Sequence, residues 1–323
     1  MPDHGRRGVM AACLAGLPFA ARGQGAAWPG ERPIGFIVPF PPGGGTDVMA
    51  RAMVPYLERH LPGARFVILN RPGAGAEIGY TALAGAAPDG LTMGVVIIPS
   101  LQTITIERTP RYRIDDLAYL GSVVDDPGGF FVAPDSPLRT LSDLAAHARA
   151  NPDKAVVGTA GIGSDDHLLM MGFEKLIGAR LVHVPFAGQA PTVSALLGRH
   201  IVVAAMNIGE SLELVKQGQA RPLAQASPER SALAPDIPTF KEQGFDLVGG
   251  VVRGLAVPVG TPESVRARLE AALLATMDDP AWQADAARLY QPLRRMDGDA
   301  FTRLVRQEAE GLRRLWHERP WKD

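Results

Sequence analysis

The stretch Ile34-Gly-Phe-Ile-Val-Pro-Phe-Pro-Pro-Gly-Gly-Gly-Thr-Asp47 decides how the rest of the chain is read. Its apolar run ends at Phe40 and reads as a buried strand. Pro41-Pro42-Gly43-Gly44-Gly45 breaks the chain, and a helix is predicted from Thr46 or Asp47, with Met49, Met53, Tyr56, Leu57 and Leu61 on one face. A glycine loop feeding a helix leaves backbone N–H groups free at the positive end of the helix dipole, where an anion is held without any charged side chain. Two look-alikes fail. A phosphate-binding P-loop ends in Gly-Lys-Ser/Thr, where this chain has Gly45-Thr46-Asp47, and the dinucleotide fingerprint needs a third glycine where Val48 stands. Asp47 would also repel a pyrophosphate, so a small carboxylate fits better than a nucleotide. A plain strand-to-helix turn, with Asp47 merely stabilising the first helical turn, stands as the alternative.

The same unit of apolar strand, Gly/Pro loop and helix recurs. Arg65 to Asn70 leads through Arg71-Pro-Gly-Ala-Gly75 into a helix from about Glu77 to Ala86. After the turn Ala87-Pro-Asp-Gly90, Leu91 to Ile98 is a strand, followed by the polar, threonine-rich Ser100 to Thr109. Leu117 to Ala133 runs extended and reads as a crossing into a second lobe, where Ser142 is expected to cap a helix. The third unit is Ala155 to Thr159, the loop Ala160-Gly-Ile-Gly163 and a helix capped by Ser164. The fourth is Leu181 to Phe186, the loop Ala187 to Pro191 and a helix to Leu197. Ile201 to Met206 is a further strand with Asn207 at its end. Val248 to Pro258 reads as the return crossing, before helices from Thr261 and from Asp299 to Glu318. Two crossings around a central segment predict an α/β fold of two lobes, each a mostly parallel sheet flanked by helices. The first lobe is expected at 28–122 plus 252–323 and the second at 123–251. In open α/β sheets ligands sit beyond the carboxyl ends of the strands, so loops opposed across one cleft would grip a small acid and close on it.

Residues 1–27 carry Arg6-Arg7, an apolar stretch from Gly8 to Ala21 and small residues up to Ala27, the pattern of a secretory signal peptide with cleavage expected before Trp28. The apolar stretch is too short to span a bilayer. Its removal takes away three arginines and one aspartate and moves the formal charge from −1 to −3. The single cysteine, Cys13, leaves with it, which excludes disulfide and thiol chemistry from the mature chain. A near-neutral balance without basic runs argues against nucleic acid. A monomer located in the periplasm is expected.

Taken in order, these motifs resemble the periplasmic substrate receptors of tripartite tricarboxylate transporters, the Bug family. The residues that carry the resemblance are Arg32-Pro-Ile with Val38 to Asp47, Asn70 to Gly75, Ala87 to Gly90, Gly161-Ile-Gly-Ser164 with His167, Val182-His-Val-Pro185 with Gly188, Arg230 to Pro238, and Arg253 to Pro258. The resemblance implies a Venus-flytrap receptor that delivers a small organic acid to a membrane permease, with neither cofactor nor metal. It implies that one ligand carboxylate meets Pro41 to Asp47 through backbone amides and ordered waters, and that the distal end meets Thr159 to Ser164 and Pro185 to Gly188. The site residues expected on these grounds are Phe40, Pro41, Pro42, Gly43, Gly44, Gly45, Thr46, Asp47, Gly75, Thr159, Ala160, Gly161, Gly163, Ser164, His167, Pro185, Phe186, Ala187, Gly188, Asn207 and Arg253.

The chain departs from the family pattern in ways that bear on the ligand. Ser164-Asp165-Asp166 stands where hydroxyls are usual, Phe186-Ala187 where Tyr-Lys is frequent, and Glu77 where the residue is usually neutral. These departures point to a ligand less acidic overall than citrate: a monocarboxylate, an amino acid or an aromatic acid. Among single residues, His167 reads either as a ligand donor or as the fastener of the third loop, and His183 as a structural residue within a strand. Arg253 and Arg71 read as carboxylate clamps or as partners of acidic neighbours, and Asn207 as a donor or a strand-end turn. Enzyme chemistry is disfavoured, because Ser164, Asp166 and His167 share one helix start and cannot converge as a relay, and no nucleophile elbow or metal motif is present. A sensory receptor for the same ligands and a periplasmic hydrolase are the alternatives.

Overall fold

The computed structural model describes Met1 and residues 28–322. The signal-peptide reading falls on residues outside that range. The opening unit forms as the hydropathy requires: β1 (Ile34–Val38) is a buried strand, and α1 (Gly45–His60) follows the glycine loop. Met49, Met53, Tyr56 and Leu57 are buried along one side of α1. The remaining elements are β2 (Phe66–Asn70), α2 (Glu77–Ala84), β3 (Thr92–Ile98), α3 (Ser100–Glu107), β4 (Leu117–Val132), α4 (Leu141–Ala150), β5 (Val156–Thr159) and α5 (Asp165–Ile177). After them come β6 (Val182–Pro185), α6 (Gln189–Leu197), β7 (Val203–Asn207), α7 (Ile208–Lys216), β8 (Arg221–Gln225), β9 (Gly250–Pro258), α8 (Glu263–Asp278), α9 (Pro280–Arg288), β10 (Leu293–Asp297) and α10 (Gly298–Glu318).

The strands run in the order β2-β1-β3-β9-β4-β7-β5-β6, with β8 and β10 also paired to β4. Parallel ladders are confined to the strand–loop–helix units, β2-β1-β3 in one lobe and β6-β5-β7 in the other. Such strands need helical crossovers, whereas β4 and β9 run between lobes and pair antiparallel with each other and with their neighbours. Each lobe is therefore a parallel trio finished by antiparallel crossing strands. Along β4 the partners change abruptly: Pro127 still faces Gly250 of β9, and Gly128 faces Asn207 of β7.

Each lobe has its own apolar core. Phe36, Met53, Leu255, Leu273 and Trp282 share one cluster, while Phe130, Phe173 and Phe240 pack edge to face in another, with ring centroids 5.1–5.9 Å apart. Helix α10 joins both sides. Its Phe301 and Val305 sit in a core cluster with Val96 and Ala256, whereas Leu312 and, beyond the helix, Trp321 belong to the Phe130 cluster. Arg319 donates to the Met171 carbonyl at 3.1 Å and pairs with Glu174. The C-terminal residues expected wholly within the first lobe thus strap the second lobe as well.

Two local expectations need correction. The threonine-rich stretch after β3 is the helix α3, in which Thr105 turns its hydroxyl back to the Gln102 carbonyl at 2.8 Å. Helix α4 is capped by Thr140 and not by Ser142, because Asp143 stands three residues on and completes a reciprocal capping box. No helix among the described residues is long and apolar enough to cross a membrane.

Candidate functional site

A cleft of about 880 Å³ opens between the lobes, and the loops singled out in the sequence meet there. From the first lobe it is lined by Phe40 to Thr46, by Gly75 and its neighbours, and by one side of α3. The second lobe contributes Ala160, Gly161, Ser164, Pro185 to Gly188 and Asn207, and Arg253 reaches in from β9. Four expected residues, Asp47, Thr159, Gly163 and His167, do not line the cleft. They sit behind it and hold the loops in shape. Residues the sequence reasoning passed over include Thr103, Glu107 and Arg108, on or beside α3, and Glu210 on α7.

The first loop is closed by its own helix. Asp47, 2% exposed, accepts the Gly43 N–H at 2.9 Å, Arg51 Nε at 2.9 Å and Asn70 Nδ2 at 2.8 Å. Burial alone would raise this carboxyl, but the hydrogen bonds from Arg51, Gly43 and Asn70 outweigh it and hold the carboxyl below its usual range. With Asp47 turned inward and α1 lacking a side-chain cap, the Gly44, Gly45 and Thr46 N–H groups find no acceptor among the described residues. Beside them, Arg108 is held by Glu77 at 2.7 Å, Glu107 at 2.8 Å and the Ala74 carbonyl at 2.9 Å. Glu77 thereby shares Arg108 with Glu107. The Arg71 side of this loop is exposed to solvent.

In the second lobe, Ser164 caps α5 by accepting the His167 N–H at 3.2 Å, and Asp166 Oδ2 accepts the Ala160 N–H at 3.1 Å. His167 Nδ1 takes the Gly163 N–H at 3.1 Å, which makes it the loop fastener. Its ring stacks on His183 at 3.8 Å, and His183 Nε2 in turn meets the Thr159 hydroxyl at 2.7 Å. Burial lowers both imidazoles, His167 to about 3 with help from its neighbour His183, and His183 to about 4. Both rings are neutral structural groups at ordinary pH.

The floor of the cleft is a buried polar network. Arg253, 3% exposed, pairs with Glu210 and stands 3.8 Å from Asp126. Asp126 accepts the Gly209 N–H at 2.8 Å. Asn207, which also starts α7, donates to the Asp126 carbonyl at 3.2 Å and to Asp165 at 2.7 Å. Desolvation raises Asp126 to about 7 against the pull of Arg253. It raises Asp165 too, and drives Asp166 well above the usual carboxylate range with the added repulsion of Asp165.

A family model for the tripartite tricarboxylate transporter family receptor matches residues 49–319. The chain belongs to this family. Three solved structures resemble this chain over most of its length. The periplasmic binding protein BugD is 29% identical and covers 89% of this chain and 97% of its own, with a TM-score of 0.81. MatC from Rhodopseudomonas palustris, solved with malate bound, is 26% identical, with coverage of 88% and 98% and a TM-score of 0.81. A second R. palustris protein, solved with adipate, is 25% identical, with coverage of 90% and 97% and a TM-score of 0.84. Members of the family are periplasmic binding proteins, and the two-lobed α/β architecture described above is theirs.

Proposed function

We propose that this receptor binds a small organic acid in the cleft between its lobes and delivers it to the membrane component of a tripartite transporter. The observation that carries the reading is the tip of α1. Gly44, Gly45 and Thr46 line the cleft, their N–H groups find no acceptor among the described residues, and Asp47 is turned away and saturated. In this reading 28–127, with the strands and helices after Gly250 that share its core, forms one jaw, and the central segment forms the other. β4, β9 and α10 carry the hinge motion. The malate and adipate bound by MatC and its R. palustris relative support a carboxylate as the ligand class. Ser164 and Asn207 are engaged in holding loops and Arg108 in pairing charges, which supports binding without turnover.

Thermal-shift and calorimetric titration of the mature chain with mono- and dicarboxylates tests this. The right acid at a hundredfold excess over its Kd stabilises by about 2.7 kcal/mol. Absence of binding by any carboxylate, or hydrolysis of ester or amide probes, would remove the receptor reading. Capture of the permease by the ligand-loaded form separates delivery from sensing.

A further inference from the structure

The cleft carries more acid than a receptor for anions needs. Among the side chains lining it, Arg108 and Arg253 stand against Glu107, Asp165, Asp166 and Glu210, a formal excess of two negative charges. Arg108 is occupied by Glu77 and Glu107, while Arg253 pairs with Glu210 through Nη2 and stands 3.8 Å from Asp126, its Nε and Nη1 having no hydrogen-bond partner among the described residues. Asp165 accepts from Asn207 at 2.7 Å. Asp166 gives Oδ2 to the Ala160 N–H, but its Oδ1 has no hydrogen-bond partner among the described residues, although Asp166 is 4% exposed and lines the cleft. A buried carboxylate oxygen without a donor is costly, and one that borders a cavity is completed by a donor entering that cavity. Fastening the loop does not account for it, since Asp47 does that work in the first lobe with both oxygens bonded.

We infer that Asp165, Asp166 and Glu210 form a subsite for an ammonium group, so that the acid taken by this receptor is a zwitterionic amino acid. The inference rests on the receptor reading above, which supplies the carboxylate end at the tip of α1. The two ends are close. Glu210 lies against Gly45, where any side chain would collide with its carboxylate, so the acidic groups begin beside the free N–H groups of the first loop. An ammonium donates in up to three directions, which suits a set of carboxylates from α5 and α7. Among the described residues these acids are not placed to hold a metal ion. A dicarboxylate would bring further negative charge to an acidic floor, whereas a zwitterion adds none.

Protonation separates the cases. The charged and titratable groups facing this subsite are Asp126 from β4, Asp165 and Asp166 from α5, Glu210 from α7 and Arg253 from β9. Burial raises all three aspartates, Asp126 to about 7, so this network takes up and releases protons more readily than free carboxylates do. An arriving cation therefore expels protons and binds better as pH rises from 6 to 8, whereas an added anion takes protons up and binds better as pH falls.

The experiment is calorimetric titration of the mature chain with pairs that differ only in the amino group: leucine and 4-methylpentanoate, phenylalanine and 3-phenylpropanoate, glutamate and glutarate. The expected result is a preference of at least about tenfold for the amino acid in the pair whose side chain fits. Protons should be released, and the preference should rise between pH 6 and 8. In Asp166→Asn the ratio should collapse towards one. Equal or tighter binding of the desamino acid overturns the inference, as does an unchanged ratio in both Asp166→Asn and Asp165→Asn. Should Asp166→Asn fail to fold, a ratio in the wild-type protein that is flat or falls with pH overturns it as well. An alkylamine lacking a carboxylate that binds as tightly as the amino acid supports the ammonium subsite and removes the carboxylate reading. Failure of every pair to bind overturns both.

Discussion

In the first lobe Asp47 reaches back to the Gly43 N–H, and in the second lobe Asp166 reaches back to the Ala160 N–H. Both are acids in the first turn of a helix, both are buried, and both close the glycine loop that precedes them. Their surroundings differ. Asp47 also receives Arg51 and Asn70, so its charge is compensated and its carboxyl lies below the usual range. Asp166 receives nothing more among the described residues, stands beside Asp165, and is held well above that range by burial and by its neighbour's charge. One acid is an internal fitting of its loop. The other is buried at the edge of the cleft with one oxygen unpartnered among the described residues. The position of an acid on a helix therefore does not fix its role; the number of donors around it does.

The sharpest way to break this comparison is to remove the compensated acid. Asp47→Ala strands the Gly43 N–H and the Asn70 amide and frees the loop whose residues line the cleft. We expect a loss of about 3 kcal/mol in urea unfolding and of most ligand affinity by calorimetry. Unfolding at the wild-type denaturant midpoint with intact binding would show that the glycine turn holds its shape without Asp47.

Much of this was legible beforehand, and the limits have physical causes. The strand–loop–helix units follow from apolar runs broken by Gly and Pro, and both crossing strands were visible as long extended stretches. Of the loops placed at the cleft, Phe186 and the expected glycines other than Gly163 line it, because a backbone that turns at a helix start has few ways to point. Asp47 and His167 sit behind it, since the sequence shows an acid or imidazole at a helix start but not the direction it faces. Glu210 and Arg108 were passed over for a different reason. Glu210 reaches the floor because α7 follows β7 without a loop: Asn207 ends the strand, as the sequence reads, and is at once the N-cap of the helix. Arg108 lies just past α3, which hides behind β-branched residues of modest helix preference. The Arg253–Glu210 pair joins residues 43 positions apart from different lobes, and no local pattern encodes it.

A smaller effect sharpens the contrast from the other side. Asp166→Asn keeps an acceptor for the Ala160 N–H and removes a charge that burial disfavours. Because the folded-state carboxyl is raised above its unfolded value of about 3.9, its contribution is fully present below that pH and is lost as pH rises through the folded value. The variant should therefore match the wild type within about 1 kcal/mol at pH 5 and gain on it steadily towards pH 8 in thermal or urea unfolding. A variant that loses stability by as much as Asp47→Ala at every pH would mean the two acids do the same work.

The smallest predicted effect concerns the imidazoles behind the second loop, and its sign is opposite. His167 and His183 are lowered to about 3 and about 4, so they stay neutral in the folded protein while the unfolded chain takes up protons near pH 6.5. Their contribution is present above the unfolded value and is lost as pH falls towards the folded ones, by about 1 kcal/mol for each ring between pH 6.5 and 5.5. In the wild type this loss is masked, because the raised aspartates of the cleft floor gain over the same interval. His183→Gln retains a partner for the Thr159 hydroxyl and deletes one of the two rings. Its stability relative to the wild type should improve as pH falls from 6.5 to 5, and the remaining His167 resonance should stay at its neutral position throughout an NMR titration. If His167 titrates near pH 6.5 instead, the stacked pair is solvated, and the second loop is held no more rigidly than an exposed turn.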